Sequence, residues 1–221
     1  MATTKQTNMS FKKIKYKVLK KAISPELANF LYTYFLNKRR VTRFFFDQRW
    51  VSPFAEEWGT WTDAQIPNTY SHYSDIAMDT LLQGLLKKME KETGFKLQPA
   101  YSYARIYKKG DTLHRHKDRY SCEVSTTLNL GGESWPIYLE PSGRVGMAGI
   151  KVDLKPGDML IYMGCELEHW RDPFAGKDCG QVFLHYNDRT TKTAKENLYD
   201  RRPFLGLPSW FKGIKLPPIK K

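Results

Sequence analysis

Near residue 97 the hydrophobic period of this chain changes, and that change decides most of what it can fold into. Upstream, apolar side chains recur every three or four residues. Leu27, Phe30, Leu31, Tyr34 and Phe35 form one such stripe, and Ile76, Leu81, Leu82, Leu85 and Met89 a second. Downstream they fall into short runs at 101–107, 123–130, 136–140, 145–152, 158–163 and 181–186. Turn residues punctuate these runs: Lys109-Gly110-Asp111, Gly131-Gly132, Pro141-Ser142-Gly143 and Pro156-Gly157-Asp158. Six short strands at this spacing predict a β-sandwich or jelly roll behind two helices, an α+β chain that is mainly β. Apolar residues make up 41% of the 221, enough for a core without disulfides.

The helix limits are legible. Ser24-Pro25-Glu26 supplies a capping hydroxyl, a proline for the first turn and an acid near the positive helix end. That helix is expected to end by Arg40. The second is expected from Ser74 to Glu92, stopped by Gly94. Residues 48–72, with Trp50, Trp58 and Trp61, read as an irregular loop, either packed on the surface or lying over a groove as a lid. The chain divides into a basic segment at 1–22 (a tail or an edge strand, since Ile14, Tyr16 and Val18 alternate), a helical support at 23–96, a β core at 97–190 and a basic, Pro-containing tail at 191–221.

Composition narrows the partners. No run of about 18 apolar residues exists, so no membrane span is expected. The first residues lack an apolar signal core, and Cys122, Cys165 and Cys179 are odd in number and widely spaced. A reducing, cytoplasmic location is the expectation. Thirty-six basic against 23 acidic residues give +13, which keeps nucleic acid open as a partner beside a merely solvated surface.

The chemistry concentrates at Leu113-His114-Arg115-His116-Lys117-Asp118. Residues two apart on a strand face the same way, so His116 and Asp118 share a space, and His114 could join them. Two histidines and a carboxylate with open positions suit non-haem Fe(II), and the same three groups could hold zinc. Of the remaining histidines, His169 is the best placed third ligand, because it follows the strand introduced by Lys155-Pro156-Gly157-Asp158. His72 and His185 are the others, and His185 could equally be a hydrogen-bonded core residue.

The order of landmarks around this pair extends the reading. Tyr107-Lys108-Lys109-Gly110, His116-Lys117-Asp118, Ser125-Thr126-Thr127-Leu128-Asn129, Gly131-Gly132-Glu133-Ser134, Lys155-Pro156-Gly157-Asp158 and Glu168-His169-Trp170 follow one another between residues 103 and 186. In this the chain resembles the Fe(II)/2-oxoglutarate-dependent oxygenases, specifically their prolyl 4-hydroxylase-like branch. The resemblance implies a double-stranded β-helix (jelly roll) with N-terminal supporting helices. His116 and Asp118 would follow its second core strand, and His169 would lie near its seventh. It implies Fe(II) on His116, Asp118 and His169, 2-oxoglutarate as cosubstrate, and ascorbate as an accessory reductant. The implied reaction hydroxylates a C–H bond, with succinate and CO2 as coproducts. A prolyl residue in a peptide or protein leads as substrate. A nucleic acid or nucleotide, a free amino acid, and a non-catalytic metal-binding jelly roll are the alternatives. Asp118 argues for hydroxylation, since halogenating relatives lack this carboxylate.

One family landmark is missing. The cation that holds the 5-carboxylate of 2-oxoglutarate is expected about ten residues after the distal histidine, where this chain has Cys179. A buried dicarboxylate needs a charge-assisted partner. Arg105 and Arg171 are the candidates, with Gln181 and His185 as weaker donors. Arg105 alternates with Tyr103 and Tyr107 and so shares their face. Tyr107 and Thr127 are placed in the cosubstrate pocket by the same resemblance. Arg171 could instead be an exposed cation.

Overall fold

The computed structural model describes residues 10–191 and 194–215. Pro217, Pro218, Lys220 and Lys221 of the basic C-terminus lie outside the described residues. In chain order the elements are α1 (Phe11–Ile14), β1 (Tyr16–Leu19), α2 (Pro25–Asp47), β2 (Tyr70–Tyr73), α3 (Ile76–Thr93), β3 (Leu97–Lys108), β4 (Leu113–His116), β5 (Val124–Gly132), β6 (Ile137–Leu139), β7 (Ile150–Val152), β8 (Met159–Met163), β9 (His169–Arg171), β10 (Asp178–Asp188) and α4 (Ala194–Asn197).

The helices begin where local chemistry dictates. Ser24 caps α2 by accepting the Leu27 N–H, with Pro25 in the first turn. Asp75, one residue later than expected, caps α3 by accepting from Ala77 and Met78. Gly94 ends α3 in the left-handed conformation at φ +71°. Helix α2 runs seven residues past Arg40, to Asp47, because nothing at Arg40 stops it and Phe44, Phe45 and Phe46 continue an aromatic edge onto Trp50, Trp58 and Trp61.

The strands form two antiparallel sheets of order β1-β8-β5-β10-β3-β2 and β4-β9-β6-β7. Strands β3 to β10 alternate between the sheets as in a jelly roll, except that β6 and β7 pair with each other in the smaller one, and α2 and α3 cover the outer face of the larger one. Period-two alternation does the sorting. From β3, β5, β8 and β10, Ala104, Ile106, Leu128, Ile161, Val182 and Leu184 face the helices and join Phe35, Leu82 and Met89 in the main core. The residues between them, including Tyr103, Arg105, Tyr107, Ser125, Thr127, Tyr162, Gln181, Phe183 and His185, face the space between the sheets. The buried residues on that inner face are the polar ones a site needs.

Strand β1 is an edge strand on β8, as the alternation of Tyr16 and Val18 suggests. The lysines near it are not free arms: Lys15, Lys17 and Lys20 pair with Glu166, Glu92 and Asp158. The loop at 48–69 holds only one short helical turn, Glu56–Trp58. No described helix is long and apolar enough to cross a membrane.

Candidate metal centre

Strands β4 and β9 pair so that His116 lies opposite His169. Asp118 follows β4 and is pinned by its own N–H, which donates to the Gly164 carbonyl at 2.9 Å. Asp118 Oδ1 then lies 3.7 Å from His116 Nε2 and 3.5 Å from His169 Nε2. The three ligand atoms fall within 4.8 Å of one another. Each imidazole is turned by a backbone carbonyl two residues earlier. His116 Nδ1 lies 2.7 Å from the His114 carbonyl and His169 Nδ1 3.2 Å from that of Leu167. A proton on each Nδ1 leaves both Nε2 lone pairs aimed at the Asp118 oxygen, the donor set of a two-His, one-carboxylate site. His114 contributes only this carbonyl, and its side chain is exposed.

Asp118 Oδ2 is held from behind by the Ser125 hydroxyl at 2.8 Å. Burial pushes the Asp118 carboxyl up, but His169, His185 and Ser125 outweigh it and keep it well below the carboxylate range. Burial lowers His116, and neighbouring His169 adds to that, so its nitrogen is free to ligate near neutral pH. Gly164 is required here: a Cβ would strike Asp118 Oδ2 and lie 2.5 Å from the Ser125 hydroxyl. Sequence reading missed it, because a turn after a strand gives no reason for glycine until the carboxylate is in place.

These groups line a cavity of about 340 Å³ with Tyr101, Tyr103, Arg105, Tyr107, Phe183 and His185. The two candidate arginines differ sharply. Arg105 is buried and already paired: Asp63 Oδ2 is 2.9 Å from Nη2, and Nη1 donates to Gln65 Oε1 at 3.1 Å. Burial works against its charge, but Tyr107, Tyr103 and Asp63 raise its pKa above the ordinary value. Arg171 is fully buried rather than exposed. Its guanidinium donates to the Trp135 carbonyl and, at 3.1 Å, to the Thr127 hydroxyl. Among the described residues no carboxylate lies within salt-bridge reach of it, and its Nε has no partner. Burial lowers its pKa.

Thr127 donates onward to Gln181 Oε1 at 3.1 Å, and Gln181 reaches the Cys179 sulfur at 3.2 Å. Arg171, Thr127, Gln181 and Cys179 therefore form one polar patch beside Tyr107. His185 is not in it. It lies behind Asp118, 3.0 Å from the Ser125 hydroxyl and against Tyr101, and burial drives its pKa down to about 4. With Asp118 and Cys122 it makes a second close group of possible ligands, but Tyr101 and Ser125 already engage the thiol and the imidazole.

The loop at 48–69 supplies two residues that sequence reading did not single out. Asp63 holds Arg105, and Gln65 Nε2 lies 3.3 Å from His116 Nε2. Arg105 orients that amide by binding its oxygen, so its N–H is turned to the imidazole.

Solved structures resemble this one in fold. A prolyl-4-hydroxylase from Pseudomonas putida matches with TM-score 0.55 and 17% identity, over 81% of this chain and 95% of that one. The chain shares the jelly-roll fold of non-haem, 2-oxoglutarate-dependent enzymes. HygX from Streptomyces hygroscopicus, solved with nickel, 2-oxoglutarate and hygromycin B bound, matches with TM-score 0.59 and 13% identity, over 81% of this chain and 85% of that one. The α-ketoglutarate-dependent epimerase SnoN from nogalamycin biosynthesis matches with TM-score 0.59 and 13% identity, over 80% and 78%. No family model and no curated protein matches the sequence.

Proposed function

We propose that this chain is an Fe(II)- and 2-oxoglutarate-dependent dioxygenase that hydroxylates a C–H bond, with a prolyl residue of a peptide or protein as the leading substrate. One observation carries the cosubstrate assignment: on β9, two residues after the candidate ligand His169, stands a fully buried guanidinium, Arg171, with an unpartnered Nε and no carboxylate partner. An isolated buried charge is costly, and a dicarboxylate relieves it. The donor set of His116, Asp118 and His169 fits Fe(II), and Arg171 with Thr127 and Tyr107 fits the 5-carboxylate. Arg105 lines the metal cavity but is the second candidate for that role, because Asp63 already neutralises it.

When bound, Fe(II) with 2-oxoglutarate supplies the oxidising chemistry, consuming O2 and yielding succinate and CO2. The chain supplies position and shelter. Backbone carbonyls fix both imidazoles, Ser125 fixes Asp118, and Thr127 links Arg171 to Gln181, so the cosubstrate patch is built before ligand arrives. Tyr107, Leu113, Tyr162 and Phe183 wall the cavity and limit water. No described side chain is needed as a general base for this reaction. Three free thiols, two of them buried, suit a reducing cytoplasm.

The test is anaerobic addition of Fe(II) and 2-oxoglutarate while recording the visible spectrum. A metal-to-ligand charge-transfer band is expected in the wild type and is lost in His116→Ala and His169→Ala. Tight iron binding without a band would remove the cosubstrate assignment and leave a metal-binding jelly roll.

A further inference from the structure

A second groove, of about 330 Å³, opens beside the metal cavity and shares Asp63, Tyr101, Tyr103 and Arg119 with it. We infer that this groove is a subsite for an oxyanion carried by the substrate, a carboxylate or a phosphate, held between Arg119 and Lys212. The inference rests on the hydroxylase reading only for what happens at the metal.

The argument begins with donors and charge. Asp200 is buried, and one of its oxygens, Oδ2, takes three donors: Tyr73 Oη at 2.6 Å, Lys212 Nζ at 2.7 Å and Arg119 Nη2 at 2.8 Å. One negative charge thus faces two positive ones. Arg119 has five N–H groups and Lys212 three, so most of their donors remain unspent. Both side chains keep access to the groove, at 51% and 30% exposure. Of the two acids lining it, Asp63 is committed to Arg105, and Glu56 accepts from Ser209 Oγ.

The cations are also fixed in place. The Arg119 guanidinium lies 4.8 Å over the Tyr101 ring and Lys212 Nζ 5.1 Å over that of Tyr73, while the two rings stack at 4.9 Å. A pre-set pair of cations loses less entropy on taking an anion than two free side chains would. The backbone adds an independent sign. Tyr199, Asp200 and Arg201 all take left-handed φ values of +50°, +52° and +67°, which side-chain-bearing residues avoid. Such strain collects at functional sites. Here it delivers the Asp200 carboxylate beneath the two cations. A substrate whose anion sits in the groove can extend past Tyr101 and Tyr103 into the metal cavity.

The test uses the Mn(II)-loaded protein with saturating 2-oxoglutarate, kept anaerobic, and inorganic phosphate as probe. Saturable relaxation of the phosphate 31P signal by Mn(II) is expected. Its apparent Kd should weaken at least about tenfold in Lys212→Met and in Arg119→Gln, the loss of one charge-assisted contact. Acetate, read through its methyl protons, separates the sources. Competition by acetate assigns a carboxylate, and its failure assigns a phosphate. No saturable effect in the wild type, or a Kd left unchanged from the wild type in both variants, overturns the subsite. If Arg119→Gln does not fold, Lys212→Met decides alone. Phosphate protection against thermal unfolding, measured without metal in the same variants, reads the groove independently. Failure of Mn(II) and 2-oxoglutarate to bind would therefore strike the hydroxylase reading and leave the subsite to this second measurement.

Discussion

The two buried arginines make a crossed prediction. Arg105→Leu removes a guanidinium that has a carboxylate partner and leaves Asp63, 20% exposed, without its counter-ion. Breaking a buried pair costs about 3–5 kcal/mol, and the partial exposure of Asp63 puts this case near the lower end. Arg171→Leu removes two charge-assisted hydrogen bonds, worth about 1.5–3 kcal/mol each. It also removes a buried charge that nothing neutralises, a penalty of several kcal/mol. The two effects nearly cancel, so ligand-free Arg171→Leu should lie within about 1 kcal/mol of wild type, using those same magnitudes. A gap of about 3 kcal/mol between the variants means a Tm difference of about 6–12 °C for a chain of this size. Cosubstrate binding should run the other way. Loss of a buried carboxylate contact at Arg171 should weaken 2-oxoglutarate by about two to three orders of magnitude, whereas Arg105→Leu should change it less than about tenfold. Scanning calorimetry of the metal-free variants and titration of 2-oxoglutarate into the metal-loaded ones give both numbers. A strongly destabilised Arg171→Leu that still binds 2-oxoglutarate normally would refute the assignment and return the clamp to Arg105.

Two further outcomes follow from the same geometry. Gln65 lies at weak hydrogen-bond distance from the nitrogen proposed to ligate metal, so Gln65→Ala should tighten Co(II) binding about two- to fivefold in a chelator competition, the worth of one modest hydrogen bond; weaker binding would mean that the amide serves the metal. Asp75 caps α3 and also binds Lys38, His72 and Tyr34. Burial pushes its carboxyl up, but His72 and Lys38 outweigh that and hold it far below its ordinary value. A depressed carboxyl stabilises the fold above its unfolded pKa of about 3.9, and that contribution is lost as pH falls toward the folded value. Asp75→Asn keeps a good cap, yet should lower neutral-pH stability by about 2–3 kcal/mol and flatten the loss below about pH 4. Urea midpoints between pH 3 and 7 check this, and an equal deficit at both ends would contradict it.

Much of the fold was legible because single-strand and single-helix patterns carry it. The stripes of Leu27 to Phe35 and Leu81 to Met89 mark α2 and α3, and the capping hydroxyl of Ser24 marks where one begins. The inner strands were found by their apolar residues, since β5, β8 and β10 each bury a face under the helices. Strands β2, β4 and β9 are absent from the six apolar runs, although His116 and Asp118 were read on a strand and the resemblance implied strands beside them and beside His169. Each has three or four residues, and two of them carry site histidines or arginines in place of an apolar alternation. The run at 145–152 shrinks to Ile150–Val152, because Gly146 takes φ +78° and breaks the extended backbone before it.

The site shows where reading by position stops and reading by space begins. The three proposed metal ligands were legible from motif spacing: His116 ends β4, Asp118 follows it and His169 opens β9. Register then makes His116 and His169 direct neighbours, a pairing 53 residues of sequence cannot display. The missing cation is the sharper case. Cys179 sits where a basic residue was expected, packed in a cluster with Tyr107, Trp135 and Phe174. Arg171 reaches Trp135 of that cluster from β9, a strand of the other sheet, two residues past the distal histidine. Guanidinium position matters to a carboxylate, and the strand that delivers it does not. A long side chain opposite a short one can therefore exchange places across a barrel while the ligand site stays put. A sequence read one strand at a time registers that exchange as a loss. The hydrogen bond from Arg171 across to Thr127 on β5 is what supports the proposed transfer. The same holds for Asp63 and Gln65: from a loop without pattern they reach the two groups, Arg105 and His116, that the core strands had already placed.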